Sequence, residues 1–189
     1  MAGPGHQAHR GAIAALKQRV PVETKLVVRH IFVDFHNGGR YREDREKDFS
    51  SPERLALRLA AQGHFNSQGE PQPKNLDEVL KRYRQCQASV NDFTVTQVLH
   101  RIAEEALEGQ SEDTAAVLVV HLDEFQFYVD NMGNNRSFKC MLNDIGDFMV
   151  NGVAETPLDG RVCVVPVLTG TAGGGRYVPM LSDFNTCKY

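Results

Sequence analysis

The chain has 189 residues, of which 41% are hydrophobic and 24% charged, a balance that excludes a fully disordered, collagen-like or coiled-coil protein. Its 21 Lys and Arg against 24 Asp and Glu give a formal net charge of -3, so no global electrostatic field for nucleic acid is indicated. The sequence holds neither a membrane-spanning apolar run nor the apolar block of a secretory signal, so we expect an intracellular protein of the cytoplasm or nucleus without a membrane partner.

The first half of the chain opens with a predicted strand, Leu26–Phe35, which is β-branched and aromatic and stops at an Asn-Gly-Gly turn signal. A helix is predicted after the next charged segment, because Ser51 precedes Pro52 as an N-cap precedes a proline at the first helical position. The glycine and prolines of Gly63–Lys74 predict a loop.

The second half alternates helical and strand-like patterns, which predicts an α/β fold with a mostly parallel sheet. Thr94 is the expected N-cap of the clearest helix, whose apolar residues recur at i, i+3, i+4 and i+7. The predicted elements are helices Leu76–Ala88 and Val95–Leu107, strand Ala116–Leu122, helix Phe138–Val150 and strand Arg161–Leu168.

The strongest functional signal lies where the strand Ala116–Leu122 ends in Asp123 and Glu124, a Walker B pattern. A buried strand of this kind delivers both carboxylates to the carboxyl edge of the sheet, where ligands bind in open α/β folds. Asp123 would bind Mg²⁺, usually through water, and Glu124 would act as general base for the attacking water. The alternative interpretation is a buried strand that simply ends in polar residues.

A second polar signal follows the strand Arg161–Leu168, where Thr169 and Thr171 flank a glycine. A small hydroxyl residue at the end of a strand beside the acidic strand matches the sensor position of P-loop ATPases. There Thr169 or Thr171 would hydrogen-bond the γ-phosphate or its attacking water, whereas an ordinary Thr-Gly turn is the alternative. His121, inside the acidic strand, is interpreted as a core histidine with a hydrogen bond.

The motif Asp123, Glu124 and Gln126, together with the run Pro166–Thr171, resembles the P-loop NTPase module of Crinkler-type and retrotransposon-hot-spot-type proteins, which are multicopy proteins. The resemblance covers residues 3–182. It implies a STAND-like or AAA-like ATPase core, a three-layer parallel sheet with flanking helices. It also implies Mg²⁺ and ATP as cofactors and hydrolysis coupled to conformational change.

The phosphate-binding loop departs from that family's pattern. A working loop reads G-x-x-x-x-G-K-[ST], whose backbone N–H groups and lysine hold the phosphates, and the chain contains no Gly-Lys-Ser or Gly-Lys-Thr. The best candidate for a degenerate loop comprises Gly3, Pro4, Gly5 and Arg10, with Ala8 at the lysine position. The strand that should precede the loop, which is central in such sheets, is also absent. We therefore expect a fragment, a truncated gene copy or a gene model with an incorrect start.

We therefore expect a single partial P-loop NTPase-like domain over residues 1–189. The expected function is nucleotide binding with weak or absent hydrolysis, because a lost lysine removes charge stabilisation from the transferred phosphoryl group. The alternatives are a catalytically inactive interaction module, whose protein partner the sequence does not identify, and a non-functional remnant of a multicopy gene. The predicted parts are a degenerate phosphate loop and helix at 1–25, the second strand and helices at 26–115, the Walker B and sensor strands at 116–171, and an irregular tail at 172–189.

Overall fold

Three parallel strands form an open sheet with the order β1-β2-β3, and helices connect them. The computed structural model describes residues 24–36, 49–86, 93–132, 135–152, 156, 158 and 160–170. This architecture confirms the predicted α/β fold with a parallel sheet. In chain order the elements are β1 (Lys25–Asp34), α1 (Ser51–Gln62), α2 (Leu76–Cys86), α3 (Val95–Leu107), β2 (Thr114–Asp123), α4 (Phe125–Met132), α5 (Asn135–Asn151) and β3 (Val162–Thr169).

The strand register brings the carboxyl ends of all three strands level with one another. Asp34 on β1 pairs with Asp123 on β2, which pairs in turn with Thr169 on β3. Because residues directly opposite each other in a sheet point to the same face, these three polar side chains form a row. His121, two residues before Asp123, lies on the same face.

The other face of the sheet carries the main hydrophobic core. Alternate residues of the strands pack there against α1, α3, α4 and α5. Each fully buried aliphatic side chain of this kind contributes about 1.5–3 kcal/mol relative to an exposed one. The residues of this core that are entirely inaccessible to solvent include Ile31, Leu55, Leu59, Leu99, Leu118, Leu122 and Met141.

The beginning of α1 differs by one residue from the sequence prediction. Ser50, not Ser51, is the N-cap, and its side chain accepts a hydrogen bond from the backbone N–H of Glu53 while the Glu53 side chain accepts one from the Ser50 backbone N–H. A capping box requires Glu or Gln three residues after the N-cap. Glu53 lies three residues after Ser50, whereas the residue three positions after Ser51 is Arg54. Thr94 caps α3 through the same box with Gln97, as predicted for Thr94.

Helix α4 was not predicted from the sequence. It follows β2 after a single residue, Glu124, whose backbone φ of 51° lies in the left-handed region and turns the chain out of the strand. With only 8 residues, α4 is too short to display a helical period. Phe125, Tyr128 and Val129 bury its inner side in the core.

None of the helices described is long and apolar enough to cross a membrane. The predicted loop after α1 is confirmed, with a single antiparallel bridge between Phe65 and Pro71. The predicted phosphate loop, the helix expected after it and the tail at 172–189 lie outside the described residues.

Candidate functional site

Hydrogen bonds hold the polar residues of this row in place at the carboxyl edge. The Thr169 hydroxyl donates to Oδ1 of Asp123, its register partner. The carbonyl oxygen of Asp123 accepts from the Phe35 backbone N–H at 3.1 Å, and Oδ1 of Asp34 accepts from the His36 backbone N–H at 2.6 Å. The structure therefore brings together Asp123 and Thr169, two residues that the sequence assigns to one site.

Two histidines lie on the same face of the sheet, before Asp34 and Asp123 along their strands. Nε2 of His121 lies 2.6 Å from the Thr169 hydroxyl oxygen, and Nδ1 of His121 lies 3.3 Å from Nε2 of His30. The two imidazole rings are nearly parallel, with centroids 5.4 Å apart, and the Phe32 ring meets His121 edge-on at 4.9 Å. His121 is only 4% exposed, so it is the buried, hydrogen-bonded core histidine that the sequence suggested.

Glu124, the second predicted carboxylate, is held by a different partner. Its Oε2 accepts a hydrogen bond from the amide of Gln126, which is buried at the start of α4. A Cβ at Gly170 would collide with the same Gln126 amide, so glycine is the residue that permits this close approach. The acidic motif and the Thr-Gly motif, separate in the sequence, are thus packed against each other.

The oxygen atoms at this edge suit a hard cation. Asp34, Asp123 and Thr169 supply carboxylate and hydroxyl oxygens, the ligand type that Mg²⁺ prefers. Across the segments that the structure describes, no group of three or more His, Cys, Asp or Glu side chains is placed to bind a metal. Magnesium in nucleotide sites is bound by one or two carboxylates plus substrate phosphates, and this edge carries the two carboxylates of Asp34 and Asp123.

Several predicted site residues lie outside the described residues: Gly3, Pro4, Gly5, Arg10 and Thr171. Their roles stay predictions.

No motif in the sequence marks His30 as a site residue. The signal that could have found it is its spacing along the strand. The spacing from His30 to Asp34 places both residues on one face of β1, just as the spacing from His121 to Asp123 does on β2.

Comparisons of the chain with protein-family models, curated proteins and solved structures found no match. The resemblance to Crinkler-type and retrotransposon-hot-spot-type modules therefore stays a prediction that rests on motif residues alone. The structure adds to those motifs the geometry of Asp123, Glu124, Gln126 and Thr169 at one sheet edge.

Proposed function

We propose that the carboxyl edge of this sheet binds a nucleoside triphosphate together with Mg²⁺, in the manner of a P-loop ATPase, and that hydrolysis is weak or absent. The observation that carries the proposal is the direct register pairing of Asp123 with Thr169, with Glu124 immediately after the strand. An acidic strand beside a hydroxyl-bearing strand is the arrangement expected of the Walker B and sensor positions. The carboxyl edge of a parallel sheet is also where ligands bind in open α/β folds.

Each residue has a distinct part in the proposal. The Asp123 carboxylate would bind Mg²⁺, usually through water, and the adjacent Asp34 would add a second negative charge on the neighbouring strand. Glu124 orients and activates the attacking water. Magnesium, when bound, would neutralise charge on the β- and γ-phosphate oxygens.

Weak hydrolysis follows from the missing lysine. Phosphoryl transfer depends on positioning and on electrostatic stabilisation of the charge that spreads over the transferred oxygens. The chain has no Gly-Lys-Ser or Gly-Lys-Thr to supply that charge, so the acidic pair would bind the cation without a full catalytic set.

A second candidate function, a catalytically inactive interaction module, is favoured by one specific observation. Asp123 and Glu124 each accept a hydrogen bond from a neighbouring side chain, Thr169 and Gln126 respectively. A carboxylate pair satisfied in this way can fix the turn from β2 into α4 without any ligand. In that case the acidic residues stabilise the fold and contribute nothing to nucleotide binding.

The test is a titration of methylanthraniloyl-ATP, a fluorescent nucleotide, in Mg²⁺ and in EDTA. The wild-type protein is expected to bind it saturably only with Mg²⁺, and Asp123→Asn is expected to weaken binding by about tenfold or more. The matched control is Asp113→Asn, because Asp113 is an exposed carboxylate just before the opposite end of β2. Equal binding by folded wild-type protein and Asp123→Asn, or none by either, would overturn the proposal and favour the interaction module.

A further inference from the structure

A continuous line of hydrogen bonds crosses all three strands beneath the carboxyl edge. It runs from His30 on β1 to His121 on β2, then to Thr169 on β3 and back to Asp123 on β2. The two links through His121 measure 3.3 Å and 2.6 Å between heavy atoms. Every link lies on the face of the sheet opposite the main core, with His121 itself 4% exposed.

The chemistry of these groups fixes the direction of both links to Thr169. A carboxylate only accepts, so the single proton of the Thr169 hydroxyl goes to Asp123. The hydroxyl oxygen must then accept from His121, which places a proton on Nε2 of His121. When His121 is neutral, its Nδ1 is an acceptor and receives the Nε2 proton of His30.

We infer that His121 is a positioning residue, which acts through Thr169 to hold the Asp123 carboxylate in a fixed orientation for Mg²⁺. The inference rests on the proposed function of Asp123. Hydrogen bonds to the groups that bind a metal commonly set their orientation, and loss of such a bond typically costs about 10–100-fold in affinity or activity. Thr169 is thereby assigned a role on Asp123, which differs from the phosphate contact predicted from the sequence.

The packing around His121 supports this role. The hydrogen bond between His30 and His121 and the edge-on contact of Phe32 restrict rotation of the His121 ring, so its Nε2–H stays directed at Thr169. A group that is fixed before the ligand arrives loses less conformational entropy when the ligand binds. The orientation of Asp123 is therefore set by the sheet itself.

The experiment compares two substitutions at one position. His121→Gln places an amide N–H donor close to the position of Nε2, whereas His121→Leu fills the space without a donor. His100→Leu is the matched control, because His100 contacts Glu104 at 3.5 Å on α3, a helix that packs on the opposite face of the sheet from His121. Unfolding transitions by circular dichroism verify that every variant is folded before binding is measured.

Two readouts are taken. Affinity for methylanthraniloyl-ATP with Mg²⁺ is expected to fall by about tenfold or more in His121→Leu and to stay close to wild type in His121→Gln and His100→Leu. Proton NMR of the protein without nucleotide is expected to show a slowly exchanging Thr169 hydroxyl with a cross-peak to the His121 Nε2 proton. That signal should be absent in His121→Leu.

The outcomes separate this inference from the proposed function. If wild-type protein binds Mg²⁺-nucleotide and His121→Leu binds it equally well, the positioning role is wrong and the proposed function stands. Absence of the Thr169 hydroxyl signal in wild-type protein also overturns the positioning role. If wild-type protein binds no Mg²⁺-nucleotide, both proposals are wrong.

Discussion

The Thr169 hydroxyl donates a hydrogen bond to the Asp123 carboxylate, its register partner, across 46 residues of sequence. This contact joins the end of β2 to the end of β3 at the edge where parallel sheets bind ligands. It explains how two short motifs, each weak by itself, can form one site.

The first prediction concerns hydrolysis. Phosphate release from ATP by the wild-type protein should not exceed that of Glu124→Gln, because the lysine that stabilises the transferred phosphoryl is missing. A continuous phosphate assay with Mg²⁺ measures both proteins under identical conditions. Turnover by wild-type protein that Glu124→Gln abolishes would show that the catalytic set is complete after all.

The second prediction concerns the N-terminal cap of α3. Thr94→Ala removes the side-chain oxygen that accepts from the Gln97 N–H, so the free energy of unfolding should fall by about 1 kcal/mol. Thr96→Ala, in the first turn of the same helix, is the control and should change it by less than about 0.5 kcal/mol. Urea unfolding followed by circular dichroism gives both values, and equal effects would contradict the capping box.

The third prediction concerns the main hydrophobic core, on the face of the sheet opposite His121. Leu118 is 0% exposed at the centre of β2, so Leu118→Ala should lower the free energy of unfolding by about 2–5 kcal/mol through lost burial and a residual cavity. Val150, 76% exposed on α5, serves as the control for truncation of an apolar side chain. Val150→Ala should leave the urea midpoint nearly unchanged, and a cost similar to that of Leu118→Ala would place the core elsewhere.

The fourth prediction concerns pH. Burial, and then the negative charge of Asp147, raise the pKa of Asp144 above its ordinary value of 3.8. The folded protein therefore holds this proton more tightly than the unfolded chain. Its contribution to stability is full below the ordinary pKa and is lost as pH rises through the raised pKa.

Asp144→Asn should accordingly be more stable than wild type at neutral pH, by about 0.2–0.5 kcal/mol as for like charges on one helix face. The advantage should vanish near pH 3, where both proteins are uncharged at this position. Asp113→Asn is the control for a pKa shift of the opposite direction, because a hydrogen bond from Ser111 lowers the pKa of Asp113. Thermal unfolding at the two pH values decides, and a gain that persists at low pH would contradict the assignment.

Much of the sheet could be predicted because strand patterns are local. The sequence predicts the first strand at Leu26–Phe35, and the structure has it at Lys25–Asp34. The sequence also predicts Thr94 as the N-cap of α3, which the structure confirms. Arg54 and Arg58 show where local patterns fail. They are 4% and 2% exposed, although charged residues on an amphipathic helix are expected on its solvent face.

The site was predictable only in part, for a similar reason. Asp123 and Thr169 each end a strand, so parallel topology alone predicts that they share an edge. Their direct contact, and the placement of His30 beside His121, depend on strand register, which no single segment encodes. Side-chain pairing across strands is set by tertiary packing, so the hydrogen-bonded line through His121 could not be read from the sequence.

The most direct test of the central claim is to locate the bound cation. Mn²⁺, a paramagnetic substitute for Mg²⁺, is added with ATP to isotope-labelled protein, and NMR line broadening is mapped residue by residue. We predict broadening of the signals of Asp34, Asp123 and Thr169 at the carboxyl edge, with Lys25 and Thr114 at the amino edge unaffected. Broadening at the amino edge would contradict cation binding at the carboxyl edge. So would the absence, across the residues that the structure describes, of any broadening that reaches a plateau as Mn²⁺ is added.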